Sequence, residues 1–349
     1  MLVVTMHATT VLGQPNILGE RVFGGLFSFG HAGVDFFFVL SGFIITFIHA
    51  RDIDKPAQFR AFWRKRLWRV FPLYWFATLS FQALLAFSPT AGREEQHLSH
   101  ILASWLLFPE AAWPILDVGW SLRHEFLFYA LFSVLILNRR MGSLCLAIWA
   151  GVCLLNASWI MATGEYAFSG VAQEIVFRPF NIEFFFGMST ALLVRRRVWR
   201  PACMLAAGVA IFFGNGLYES FGPKQSLEWP AHQLLYALGA ALILYGVARL
   251  DLAQRWTIPA WALKLGTASY SIYLIHMPVV LVSGELIRRA QSVVSVPVEA
   301  GFVAVLVVSV IAGLVVHRYV ERPIMRYSSR LNTPLPISES EVITRRQLS

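Results

Sequence analysis

Three features of this 349-residue chain predict an all-α fold, a polytopic membrane helix bundle of about ten transmembrane helices. Charged residues make up only 14% of the sequence and hydrophobic residues 57%, against roughly a quarter charged in a soluble domain. The mean hydropathy is +0.59, and the shortage of charge extends along the whole length. The 29 Lys and Arg residues sit in short clusters between apolar runs. The net charge of +9 is therefore a topology signal and argues against nucleic acid as a partner.

A helix needs about 20 residues to span the hydrocarbon core, with a range of about 17 to 25. Apolar runs of this order lie at 1–12, 33–49, 70–88, 124–138, 143–162, 179–194, 202–218, 231–249, 266–287 and 298–317. The first, MLVVTMHATTVL, would be about 18 Å long as a helix, short for a span. It has neither the basic leading region nor the small-residue cleavage site of a signal peptide. The expectation is a truncated start, with roughly ten to fifteen residues missing ahead of Met1. The runs at 124–138 and 179–194 are also short. The stretch 99–108, SHILASWLLF, is expected to lie at the interface or to re-enter. Residues 1–326 thus form the membrane domain, and the polar, Ser-, Thr- and Pro-bearing segment 327–349 is expected to be a disordered cytoplasmic tail. No internal repeat is visible.

Charge placement tests the count. With both termini cytoplasmic, the inside segments are 50–69, 139–142, 195–201, 250–265 and the C-terminal segment that follows the last span at 298–317. Together with the flanking Arg249 and Arg318 they hold 22 of the 29 Lys and Arg residues, as the positive-inside rule requires. Cys145, Cys153 and Cys203 all lie in apolar segments and read as small core residues, with no disulfide or zinc spacing.

Ionisable side chains inside a bilayer cost about 2.5 to 3.5 kcal/mol each on insertion scales, so each marks a candidate site. Here they are His7, Asp35, Glu125, Glu183 and His276. The other reading of each is a structural partner within the bundle. His7 has the chemistry to take a proton from a hydroxyl and return it to a leaving thiolate. Asp35 stands directly ahead of the run FFFVLSGFIIT, which contains Ser41. Arg66 and Arg69, three apart in RKRLWRVFPLYW (64–75), point the same way on a helix. Their forked guanidiniums suit phosphate oxygens, though basic residues at a helix end are also ordinary topology markers. In GWSLRHEFLFY (119–129), Ser121 reads as an N-cap, and Glu125 either favours the helix N-terminus or orients a histidine from a neighbouring helix. SYSIYLIHMP (269–278) puts Ser269, Tyr273 and His276 on roughly one face. No P-loop, GxSxG or HExxH motif is present, and no metal ligand set is expected.

Taken in order, His7, GVDFFFVLSGF (33–43), RLWRVFPLYW (66–75), GWSLRHEFLFY (119–129), NIEFFFGM (181–188), SYSIYLIH (269–276) and ERP (321–323) resemble the membrane acyltransferase 3 family. The nearest likeness is to its ExoZ-type exopolysaccharide acetyltransferases. The resemblance runs along essentially the whole chain. It implies ten helices in a bacterial inner membrane and an acyl-CoA donor, acetyl-CoA above all, on the cytoplasmic side. It also implies a glycan or lipid-linked saccharide acceptor reached from the membrane or periplasm. It assigns His7 to acyl transfer and Arg66 and Arg69 to the donor, puts Glu125 on the family's WSL-type glutamate, and puts Asp35 and Ser41 on its FF-SGF segment. An arginine that the family carries eleven residues before this histidine would fall ahead of Met1, in keeping with the truncated start. The implied function is O-acylation of an exported or cell-surface polysaccharide, or its precursor, with His7 as base. Two rivals stay open: a proton-coupled transporter, which often shows inverted repeats or matched broken helices that are not visible here, and a partner-binding membrane subunit.

Overall fold

The computed structural model describes residues 1–20, 22–86, 97–196, 200–222, 229–254 and 257–331. Among them the chain forms thirteen α-helices and no strand. α1 (Leu2–Leu12) is followed by two short 3-10 turns and by α2 (Ala32–His49). α3 (Phe59–Ala86), the short α4 (Leu98–Trp105), α5 (Gly119–Leu137) and α6 (Arg139–Thr163) come next. After a π-turn at Ala172–Val176 follow α7 (Ile182–Val194), α8 (Pro201–Phe221), α9 (Trp229–Leu252) and the short α10 (Ala260–Thr267). The chain closes with α11 (Ser269–Ala290), α12 (Val298–Val316), a π-turn at His317–Glu321 and α13 (Arg322–Leu331).

Among the described residues seven helical stretches are long and apolar enough to cross a membrane, and the fold is an all-α polytopic bundle. Each of the ten expected spans overlaps a helix, residues 87 and 88 of the third lying outside the described residues, but α1, α3 and α7 fall outside the seven. α1 and α7 have 11 and 13 residues. α3 begins at Phe59 rather than 70 and carries Arg60, Arg64, Lys65, Arg66 and Arg69 in its first turns. Of the segment 99–108, residues 99–105 lie in α4, which is too short to span, and 106–108 follow it outside the helix. Residues 139–142 are not a loop: they open α6, and only Asn138 separates α5 from α6, its side chain accepting the Met141 N–H at 3.0 Å. α13 carries the chain helically through 327–331, the first residues of the expected tail; 332–349 lie outside the described residues. Of the three cysteines only Cys153 is buried, while Cys145 is half-buried and Cys203 exposed. Apolar surroundings on a lipid-facing helix do not imply a core position.

α2 and α7 form the tightest contact that bears on the site. A Cβ at Gly42 would fall on the Phe184 carbonyl, and one at Gly187 would fall on the Val39 carbonyl and lie 2.6 Å from the Phe43 nitrogen. Hydrogen at both positions lets the two backbones meet, as small residues do between membrane helices. Beside this contact Phe128 of α5 stacks on Phe184 of α7 at 4.5 Å. α11 and α12 pair on the other side of the bundle, and α1 packs against both.

Candidate functional site: two cavities with a common wall

A cavity of about 410 Å³ opens among α1, α2, α3, α5 and α11. Its polar lining is Ser41, Arg66, Arg69, Glu125, Tyr129 and the hydroxyl face of α11. Arg66 Nη2 donates to His49 Nε2 at 2.9 Å, and His49 Nδ1 in turn donates to Asp52 at 2.7 Å. The acceptor role of Nε2 fixes this tautomer. The Arg66 guanidinium lies over the rings of Phe62 and Tyr129, and its Nε has no partner. Arg69 forms an ion pair with Glu321 and lies over the Tyr270 ring at 5.2 Å. The second Glu321 oxygen accepts from Ser271 at 2.6 Å and from His317 at 2.7 Å. The wider π-turn at His317–Glu321 is what sets that carboxylate against α3 and α11.

Glu125 accepts the Ser41 hydroxyl at 2.9 Å and the Tyr129 hydroxyl at 2.5 Å, both on one oxygen. It orients no histidine; the adjacent His124 bonds Asn181 at 2.9 Å instead. Nor is Ser121 an N-cap. α5 starts two residues earlier, at Gly119, and Ser121 Oγ lies 3.1 Å from the Val118 carbonyl and 2.7 Å from the Tyr273 hydroxyl.

A second cavity, of about 450 Å³, is lined by His7, His31, Trp113, Asp117 and Trp120, with Val3, Met6, Val34, Val118 and Tyr273 completing its wall. Trp113 and Asp117 are exposed, so this cavity opens on the face formed by the 106–118 loop. The His7 ring lies 5.2 Å from that of His276, tilted by 50°. His276 is fully buried; its Nδ1 donates to the Tyr273 carbonyl at 2.6 Å and its Nε2 has no partner. A ring with Nδ1 as donor carries a free lone pair on Nε2 when neutral.

The two cavities are neighbours. The first is lined along α2 by residues from Gly33 to Ile45, the second by Val34 of α2 and by His31 in the turn before it. Only Val3 and Tyr273 line both. The Tyr273 hydroxyl donates to the Val118 carbonyl at 2.9 Å, and its ring stacks on Phe37.

Asp35 lines neither cavity. It is 1% exposed, as is Glu183, and the two carboxyls meet across the α2–α7 contact with no hydrogen-bond donor on either. His31 Nδ1 lies 3.9 Å from Asp35, while its Nε2 bonds Glu219 at 2.6 Å. Of the residues singled out in the sequence, the structure thus gathers Ser41, Arg66, Arg69, Glu125 and Tyr273 around one cavity and brings His7 and His276 together beside the other. Asp35 and Glu183 form a separate pair. His31 falls in none of the sequence motifs, and Tyr129, Tyr270 and Glu321 fall within motifs without being assigned a role. For His31 the available signal is its i, i+4 spacing to Asp35; for Glu321, its place in the ERP motif at the end of the last apolar run.

A family model described as an acyltransferase domain matches residues 1–318. The chain belongs to the acyltransferase 3 family. This acyltransferase is 31% identical over 313 residues to the exopolysaccharide production protein ExoZ of Rhizobium meliloti (strain 1021), covering 87% of the chain and 92% of ExoZ. It is 28% identical over 330 residues to the acyltransferase MdmB of Streptomyces mycarofaciens, covering 86% of the chain and 82% of MdmB. No solved structure gives a significant match. The protein is thus a multi-pass membrane acyltransferase that works from an acyl donor. Among the described residues there is no group of three or more His, Cys, Asp or Glu side chains able to hold a metal.

Proposed function

We propose that this acyltransferase moves an acetyl group from acetyl-CoA to a hydroxyl of an exported or cell-surface polysaccharide, or of its lipid-linked precursor, in a bacterial inner membrane. The observation that carries the reading is the pair of cavities meeting at one wall, with two arginines in one and His7 in the other. The likeness to a protein named for exopolysaccharide production supports the acceptor class. The excess of Lys and Arg in the segments of one side supports cytoplasmic termini.

In this reading the first cavity takes the donor. The Arg66 and Arg69 forks hold its phosphates, and the apolar wall of Phe36, Phe37 and Leu40 accepts the pantetheine arm. His7 removes the proton of the sugar hydroxyl, the oxygen attacks the thioester carbonyl, and the carbon–sulfur bond breaks. The imidazolium then returns its proton to the thiolate. His276, with its tautomer set by the Tyr273 carbonyl, keeps its free lone pair near the His7 ring and steadies it. Asp35 acts through His31, one helical turn away at the cavity edge. Glu125, fixed by two hydroxyls, shapes the inner end of the donor cavity. Bringing both reactants to one wall removes much of the entropic part of the barrier.

The test is purified protein in detergent with acetyl-CoA, free CoA being measured with and without saccharide acceptor. The expected result is CoA release that depends on the acceptor, with acetyl groups appearing on the glycan. Absence of acceptor-dependent release, or surface polysaccharide whose acetyl content is the same in cells lacking the protein, overturns the reading.

A further inference from the structure

We infer that Tyr273 is a septum that keeps water in the acceptor cavity from the acyl thioester until the acceptor arrives. The inference rests on the proposed function and concerns a problem that this function creates. The cavity with His7 opens to the outside at Trp113 and Asp117. Water entering there competes with the sugar hydroxyl. Its oxygen attacks the same carbonyl, the carbon–sulfur bond breaks, acetic acid and the free thiol of CoA result, and the displaced proton ends on sulfur. An enzyme of this class therefore has to exclude water from the donor carbonyl.

The geometry points to one side chain for the task. Val3 and Tyr273 are the two residues that line both cavities, and Tyr273 is the larger. Its ring is held flat on Phe37 of α2 at 6.3 Å with an interplanar angle of 13°. Its hydroxyl is tied to α5 through the Val118 carbonyl and Ser121. A ring fastened at both ends does not swing aside spontaneously. Val118 itself lines the acceptor cavity, so a saccharide seated there presses on the anchor that holds the ring. Release of the tether then coincides with arrival of the acceptor. Ser121, on α5, has no other evident purpose: it faces neither cavity and does not cap its helix.

The experiment measures CoA released from acetyl-CoA by the purified full chain in detergent, with and without saccharide acceptor, for the parent, Tyr273→Ala, Tyr273→Phe and Val3→Ala. The parent releases little CoA without acceptor. Tyr273→Ala should raise acceptor-independent release several-fold and lower the fraction of acetyl groups that reach the glycan. Tyr273→Phe, which keeps the ring and loses the tether, should raise it less. Val3→Ala widens the same wall from α1 and should shift the ratio in the same direction, which tests the septum even where Tyr273→Ala does not fold. The two readings fail separately. A parent that shows no acceptor-dependent transfer overturns the proposed function and the septum with it. Intact transfer with hydrolysis unchanged in Tyr273→Phe, Val3→Ala and folded Tyr273→Ala overturns the septum alone.

Discussion

A guanidinium already paired with a carboxylate is a different ligand from one that is not, and Arg66 and Arg69 differ in this way. Arg69 is engaged by Glu321, whereas Arg66 is held by a neutral-type His49 nitrogen and keeps an unpartnered Nε. Arg66→Ala should therefore weaken acetyl-CoA binding markedly, and Arg66→Lys should restore only part of it, because an ammonium lacks the planar fork; titration calorimetry in detergent reads both. His7→Ala should behave in the opposite way, losing about 10² to 10⁴ in turnover with donor affinity unchanged. A correctly inserted His7→Ala protein that acylates as fast as the parent would show that the base lies elsewhere. Residues such as His7 and Glu125 are legible in the amino-acid sequence itself, because an ionisable group stands out in an apolar run. His31 is not, and Glu321 shows only as part of the ERP motif, with no role attached. They sit at the margins of such runs, where charged side chains are ordinary, and only packing shows that Glu321 is buried and bonded three ways.

Helix against helix, the glycine contact of α2 with α7 fixes the spacing on which the Asp35–Glu183 pair depends. Gly187→Ala would drive a methyl group into backbone atoms of α2, and backbone cannot move aside as a side chain does. The expected cost is about 1 to 3 kcal/mol of overpacking, seen as a fall in the midpoint of thermal unfolding in detergent. Gly151→Ala on α6 is the control: a Cβ there meets nothing within 4 Å. That substitution should be neutral or slightly stabilising, since Ala favours helix over Gly by about 1 kcal/mol. An equal fall for both variants would rule out the close α2–α7 approach as the cause. The existence of these helices is plain from hydropathy, but their ends are not. Hydropathy loses α3 at its basic first turns, although the helical hydrogen bonds continue through them, and it cannot see that Asn138 alone suffices to connect α5 to α6.

For the molecule as a whole, the placement of Lys and Arg makes a prediction about sidedness. Reporter fusions after residues 65, 140 and 258 should read cytoplasmic, and one near 170 periplasmic; the reverse pattern at 140 and 170 would invert the bundle. The all-α bundle is readable from composition and the spacing of apolar runs, whereas the two cavities are not, because a void is set by how side chains from α1, α2, α5 and α11 fail to fill a space and leaves no periodic mark in any one of them. The Arg69–Glu321 ion pair has a wider reach than its size suggests. It joins α3 to the π-turn at the head of α13, where Trp68 also lies against Tyr327 at 5.9 Å. In the proposed reading a donor phosphate that claims Arg69 would compete with Glu321 for it, which would link donor occupancy to the seating of α13 reciprocally. If Arg69 holds the donor as proposed, whatever draws α13 from its place should raise its affinity for the donor, and a bound donor should loosen α13 by the same free energy.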